Sequence, residues 1–160
     1  MYLLGDNILT FINIPSTKSQ IRSGYPGKLN QVTKGCEFQS LGDEADLTQF
    51  GVNRVVLHPG GVTSLRHWHE KEDEFVIIFS GSVILIDNVG ERTLEAGDCV
   101  GFKANEGNGH QLVNRLDTAA VIFEIGSRCQ HEVVHYSDVD MIASSLDDKV
   151  KFFTRNGKLL

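Results

Sequence analysis

The sequence predicts an all-β protein, either a sandwich or a closed barrel of short strands. Short apolar runs follow one another from residue 50 onward, and turn signals such as Pro59-Gly60-Gly61 and Gly97-Asp98 separate them. No helical period lies between the runs. Glycine is frequent, with 16 residues, and proline is scarce, with 3, which is typical of β-structure with many tight turns.

The predicted strands occupy the middle of the chain and are joined by short turns. We expect them at residues 52–57, 74–79, 83–86, 92–94, 99–102, 111–114 and 119–125. Strands this short and this closely spaced favour a barrel or a sandwich over a mixed α/β fold.

At 160 residues the chain is expected to form a single domain, residues 1–160. Residues 1–50 are predicted to form an N-terminal arm with edge strands, one of them at 8–14. Residues 50–126 form the predicted barrel core, and residues 127–160 form a C-terminal tail with one short helix near 138–144. Within the arm, Leu41-Gly42-Asp43 indicates a turn.

Charge and composition narrow the range of partners. The net charge is −6 and the pI about 5.4, so nucleic acid is an unfavourable partner. No apolar run is long enough to cross a membrane, and three scattered cysteines suit a reducing compartment. We therefore expect a cytoplasmic protein with a small-molecule substrate.

The apolar segment at residues 3–14 has no obvious partner within the barrel core. Open sheets leave strand edges that must be covered. We expect this segment to pair with a second copy or to cover its own edge, and we expect the chain to be a homodimer.

A group of histidines and carboxylates carries the chemical signal of the sequence. His67 and His69 are two residues apart, which on a strand places both side chains on one face. Acidic residues follow at once, ending with Glu74, and His110 comes two hairpins later. Imidazole nitrogens and a carboxylate oxygen suit one divalent ion of Zn, Mn, Fe, Ni or Co.

At these residues the sequence resembles the cupin family. The first cupin motif is G-x5-H-x-H-x4-E-x6-G, and this chain matches every fixed position with Gly61, His67, His69, Glu74 and Gly81. In general form the resemblance covers residues 50–126. A longer stretch is similar to a group of small bacterial cupins, some of which carry the provisional name of sugar-phosphate isomerase.

The second cupin motif, G-x5-P-x-G-x2-H-x3-N, is matched less completely. Gly97 opens it, and Gly107, His110 and Asn114 close it at the expected spacing. Lys103 stands where the motif has proline, and two extra residues precede Gly107. The departures affect a local turn, while the ligand histidine is kept.

The resemblance implies a fold, a metal site and a range of activities. The fold would be the double-stranded β-helix, a jelly-roll barrel, with His67, His69, Glu74 and His110 as metal ligands near one open end. This leaves coordination positions for water or substrate, as in catalytic sites. Asp73 competes with Glu74 for the role of carboxylate ligand, although strand alternation points it the other way.

We expect a metal-dependent enzyme of isomerase or lyase type that acts on a small oxygen-rich metabolite, either sugar-like or a carboxylate. Glu74 is the candidate catalytic residue, because a carboxylate at the metal can also transfer a proton. An iron-dependent dioxygenase and a ligand-binding cupin without enzymatic activity are the alternatives.

Overall fold

The computed structural model describes residues 10–146 and 149–160, and within them the regular structure is nearly all β. The strands are β1 (Gln20–Ile21), β2 (Cys36–Ser40), β3 (Phe50–Leu57), β4 (His67–His69), β5 (Glu74–Ser80), β6 (Ser82–Ile86), β7 (Glu91–Glu95), β8 (Cys99–Phe102), β9 (Gln111–Val113), β10 (Ala120–Ser127), β11 (Val133–Tyr136), β12 (Ile142–Leu146) and β13 (Lys149–Phe153). A short helix, α1, spans Leu41–Glu44, and single 3₁₀ turns span Ile14–Ser16 and Gly27–Gln31.

The strands form three antiparallel sheets that together make the jelly-roll barrel. The largest has six strands in the order β1-β2-β3-β10-β5-β8. The second has the order β13-β12-β11-β4, and the third the order β7-β6-β9. The long strands β3 and β10 pair along their whole length, from Leu57 opposite Ala120 to Phe50 opposite Ser127. They form the centre of the large sheet.

Alternation along each strand separates the core from the outer surface. In β5, Val76 and Ile78 are buried, whereas Phe75, Ile77 and Phe79 are exposed. The buried side chains of the large sheet pack against those of β6, β7 and β9 in one apolar cluster. Burial on one face gives each strand a fixed register, because a slip of one residue would turn its apolar side chains outward.

The C-terminal helix predicted near 138–144 is wrong. This region leads into β12, which pairs with β11 on one side and β13 on the other. Met141 and Ala143 are buried and alternate with less buried neighbours, which is the period of a strand. Cross-strand pairing and this second small core decide the structure over the weak local preference for a helix.

The N-terminal arm differs from expectation in two places. The predicted edge strand at 8–14 lies partly outside the described residues, and residues 10–13 form no strand, with Pro15 in a 3₁₀ turn instead. The turn predicted at Leu41-Gly42-Asp43 is the short helix α1. The expected edge strands of the arm are β1 and β2, which extend the large sheet beyond β3. None of the described helices has the length and hydropathy of a membrane span.

Candidate metal centre

Strand β4 presents two histidines to the barrel interior. His67 and His69 lie on one face, and their ring centroids are 5.0 Å apart. Trp68, between them, points the other way and stacks on His135 at a centroid distance of 4.2 Å. The pairing of β4 with β11 fixes this orientation.

His110 is held beside β4 by a backbone bridge. The amide of His67 donates to the carbonyl of His110 at 3.1 Å, and the amide of His110 donates back at 2.9 Å. The ring of His110 lies 5.0 Å from that of His67 and stacks on Phe102. Residues far apart in the sequence therefore carry adjacent imidazoles.

Glu74 opens β5 and points into the same space. Its Oε2 lies 3.0 Å from His110 Nε2 and 3.9 Å from His69 Nε2. One donor atom from each of His67, His69 and Glu74 lies within 4.8 Å of the others, so this group could hold a metal ion. His110 adjoins the group through Glu74. Metal ligation by these four residues, and a catalytic role for Glu74, stay predictions.

The hydrogen bonds of the imidazoles fit a metal site. His67 Nδ1 lies 3.0 Å from the carbonyl of Leu65, and His110 Nδ1 lies 3.4 Å from that of Asn108. A carbonyl only accepts, so at His67 Nδ1 carries the proton and the Nε2 lone pair faces inward. His110 lies between two acceptors, because its Nε2 is 3.0 Å from the Glu74 carboxylate and can donate to it when no metal is bound. A cation at Nε2 would replace that hydrogen bond and leave the proton on Nδ1.

The electrostatic state of the side chains points to the same conclusion. Burial lowers the pKa of His67 to about 3, the other two histidines add to this, and Glu74 opposes it. Burial also lowers the pKa of His69. Burial alone would raise the pKa of Glu74, but the hydrogen bond with His110 and the three nearby imidazoles outweigh it and lower that pKa. Neutral imidazoles and an ionised carboxylate are the forms that bind metals.

A buried carboxylate that the sequence analysis missed lies behind His69. Glu132 Oε1 is 3.6 Å from His69 Nδ1, and Glu72 Oε2 is 4.0 Å away. The Nδ1 atom is buried and makes no hydrogen bond within the described residues. Glu132 accepts hydrogen bonds from the amides of Glu70 and Lys71, which fix its position. A carboxylate behind a histidine is the usual arrangement for orienting a metal ligand.

Asp73, the competing carboxylate, lies outside this group. Its side chain is exposed and accepts a hydrogen bond from the amide of Ala104 at 2.8 Å. Its oxygens are not among the donor atoms that lie within 4.8 Å of one another. Glu74 therefore has the geometry expected of the carboxylate ligand.

The incomplete second motif still places His110 beside the other candidate ligands. Its longer loop turns through Asn105 and Gly107, both with positive φ, before reaching His110. Asn114, which closes the motif, is fully buried and has a structural role. Its amide nitrogen donates to the carbonyls of Leu57 and Thr118, both at 2.8 Å.

The histidines and Glu74 line a cavity of about 710 Å³ between the sheets. The apolar runs at 75–79, 83–86 and 121–125 contribute little to its wall. Val76 is the apolar side chain that they supply among the described lining residues, and β10 contributes Glu124. Glu124 forms a buried ion pair with Arg22 from the N-terminal arm, with Nη2 and Oε2 2.6 Å apart. The sequence pattern could have revealed Glu124, because it is a carboxylate at an inward-facing position of an apolar run. No local pattern indicates Arg22 as its partner.

Comparison with known proteins agrees with the fold and the motifs. The cupin domain model matches residues 53–126. A sugar phosphate isomerase of the cupin superfamily from Silicibacter pomeroyi has 41% sequence identity and a TM-score of 0.91, covering 94% of this chain and 96% of that chain. This chain belongs to the cupin superfamily.

Other cupins of known structure are more distant. A protein from Acidithiobacillus ferrooxidans, provisionally named a sugar phosphate isomerase, has 25% identity and a TM-score of 0.74 over 81% of each chain. A predicted oxalate decarboxylase from Thermotoga maritima has 23% identity and a TM-score of 0.61, covering 74% of this cupin and 99% of that chain, and it shows the fold alone. No curated protein matches this cupin.

Proposed function

We propose that this cupin is a metal-dependent isomerase or lyase that acts on a small oxygen-rich metabolite. One divalent ion would be held by His67, His69, Glu74 and His110. The observation that carries the proposal is the convergence of neutral imidazoles and an ionised carboxylate on the wall of a cavity of about 710 Å³. A cavity of this volume is within the range that holds small-molecule ligands.

When bound, a divalent ion would supply Lewis acidity toward a carbonyl or hydroxyl oxygen of the substrate. The side chains of the protein would then handle the proton. Glu74 is ionised and faces the cavity, so it can take the proton of the hydroxyl-bearing carbon next to the substrate carbonyl and return it to the carbonyl carbon. The hydroxyl proton passes to the former carbonyl oxygen in the same conversion, so the carbonyl and hydroxyl groups exchange places. Glu74 Oε2 lies 3.0 Å from His110 Nε2, so the candidate base is adjacent to a candidate metal ligand.

Apolar side chains flank the candidate ligands. Phe102 stacks on His110, and Leu112 and Val76 line the same cavity and are nearly fully buried. Apolar walls strengthen the electrostatic effect of charged groups on a bound substrate. The name of the Silicibacter pomeroyi protein supports an isomerase more than a dioxygenase.

The test is solvent deuterium exchange by the protein loaded in turn with Mn²⁺, Fe²⁺, Co²⁺, Ni²⁺ or Zn²⁺. Aldoses, ketoses and hydroxy acids are incubated in D₂O and followed by NMR. We expect exchange at the carbon next to a carbonyl only with metal, and no exchange with Glu74→Gln. Asp73→Asn is the matched control and should retain exchange.

Two other outcomes would contradict the proposal. Oxygen consumption with product oxidation and no exchange would identify a dioxygenase. Saturable ligand binding without exchange or product would identify a binding protein.

A further inference from the structure

The strands of the large sheet present their inward side chains to the cavity in successive rows. The row level with the metal centre is made by residues in register on β3, β10, β5 and β8: Gly51, Gly126, Glu74 and Phe102. Two residues further along the strands lies a second row, on β2, β3, β10 and β5: Ser40, Asn53, Glu124 and Val76. Beyond it Val55, Ile122 and Ile78 are fully buried and close the barrel. The second row therefore lies between the metal centre and the closed end.

The first row contains a gap beside Glu74. Gly51 and Gly126 both line the cavity and add no side chain to it. A Cβ atom on Gly126 would meet only the carbonyl oxygen of Asp73, at 3.6 Å, which is an ordinary contact. Backbone packing therefore does not require glycine at this position. Glycine within a strand often marks a close approach by a ligand, and here it leaves room next to the candidate base.

The second row is polar at every position except Val76, whereas the next row toward the closed end is apolar. The side chains of Ser40 and Asn53 line the cavity and form no hydrogen bond with another described side chain. Glu124 binds Arg22 through both of its oxygens, at 3.1 and 2.6 Å. Together these groups offer several donors and acceptors in one row. Ser40 and Asn53 are half-buried, so their polar atoms remain free to bind a ligand that carries hydroxyl groups.

The charges of the cavity disfavour an anionic ligand. Among the described residues that line it, the cationic side chains are Arg22 and Arg128, and each already pairs with a carboxylate, Glu124 or Asp43. Lys103 lines neighbouring surface pockets but not this cavity.

The carboxylates in the lining are more numerous than these cations. They are Asp43, Glu72, Asp73, Glu74 and Glu124. Five carboxylates against two arginines leave a formal charge of −3, or −1 with a divalent ion bound. A phosphate ester adds close to two negative charges and would meet no free cationic side chain among the described residues.

We propose that the substrate of this cupin is an uncharged polyhydroxy compound, an unphosphorylated sugar or a close analogue. Its carbonyl end would lie over the glycine gap beside Glu74. Its distal hydroxyls would bind Ser40, Asn53 and the Arg22–Glu124 pair. The inference rests on the proposed function. The uncharged substrate proposed here differs from the sugar phosphate in the name of the Silicibacter pomeroyi protein.

The experiment compares matched ligand pairs on the metal-loaded protein. The probes are free aldoses and ketoses with five and six carbons, each with its terminal monophosphate, and binding is measured by calorimetry. We expect at least one free sugar to bind in the millimolar range or more tightly, with its phosphate about tenfold weaker or worse. Tighter binding of a phosphate than of its free sugar, or no binding by any free sugar, would overturn the inference.

Two variants test the location of the ligand without breaking the buried ion pair. Asn53→Ala removes the amide of the second row, and Gly126→Val fills the gap. Each should weaken binding of the free sugar about tenfold and leave metal content and melting temperature unchanged. The control is Arg54→Ala, on the same strand as Asn53 but bonded to Gln39 and absent from the cavity lining.

The outcomes separate this inference from the proposed function. Sugar binding that neither Asn53→Ala nor Gly126→Val weakens, on protein with full metal content, would overturn the inference and leave the metal centre intact. Wild-type protein that binds no metal would overturn the proposed function itself, and the inference with it.

Discussion

Glu132→Gln tests whether the buried carboxylate behind His69 tunes the metal centre. Glu132 is 3% exposed, and its Oε1 lies 3.6 Å from His69 Nδ1. The substitution keeps the size of the side chain and one oxygen for the amides of Glu70 and Lys71, but it removes the charge. The variant then lacks the negative charge that stabilises the proton on His69 Nδ1. Without that charge, His69 Nε2 becomes a weaker metal ligand.

The expected loss of metal affinity depends on a second carboxylate near His69, that of Glu72. Loss of a partner behind a metal ligand usually lowers metal affinity ten- to a hundredfold. Glu72 Oε2 lies 4.0 Å from the same nitrogen and remains in the variant, so we expect the lower end. Affinity should fall about tenfold, or about 1.4 kcal/mol, and the Glu72→Gln/Glu132→Gln double variant should approach a hundredfold.

The assay is a competitive titration of metal-free protein with Zn²⁺ and a chromophoric chelator. Glu70→Gln is the matched control, because Glu70 binds His135 at 2.7 Å on the outer side of β4. It should bind metal like the wild type. If Glu132→Gln also binds like the wild type and has the same melting temperature, Glu132 does not act on the metal through His69.

Three further predictions concern the carboxylate, pH and assembly. Glu74→Gln should lower Zn²⁺ affinity at least tenfold in the same titration, and Asp73→Asn should change it little, so the reverse order would show that Asp73 is the ligand. For the metal-free protein, the folded pKa of His67, about 3, lies below the ordinary 6.5. The unfolded chain therefore binds more protons between these values, and stability to urea should fall by about 1–2 kcal/mol from pH 6.5 to 5. A flat profile, or one equal to that of His67→Gln, would contradict this. The homodimer stays a prediction, for which we propose the exposed apolar face of β5. Ile77→Lys with Phe79→Lys should halve the mass in light scattering if the face is buried between two copies, whereas a monomeric wild type would exclude it.

Most of the barrel could be predicted from the sequence because its strands bury one face. The run predicted at 74–79 is the strand Glu74–Ser80, and the run predicted at 119–125 agrees with Ala120–Ser127 to within two residues at each end. Glycine turns separate these strands, so local signals and tertiary pairing agree. The helix predicted at 138–144 was wrong because the short apolar stretch there fits a helix and a strand equally well. The pairing of β12 with β11 and β13 decides between the two.

The candidate site was predictable where a motif fixes the spacing. The two histidines of β4 and the glutamate that opens β5 come together because a short segment carries the chain from β4 in one sheet to β5 in another. Arg22, from the arm, reaches Glu124 in the cavity wall, and Glu132, from the loop before β11, lies behind His69. No local pattern relates the members of either pair. Such contacts depend on the closed barrel, which a single sequence does not reveal.

The most direct test of the metal centre is the metal content of the purified protein. Wild type, His67→Ala and His110→Ala are prepared identically and analysed by mass spectrometry of the elements. We predict about one divalent ion per chain in the wild type and a large loss in each variant, with folding confirmed by circular dichroism. Full occupancy in both variants, or a folded wild type that binds no added divalent metal, would contradict the assignment.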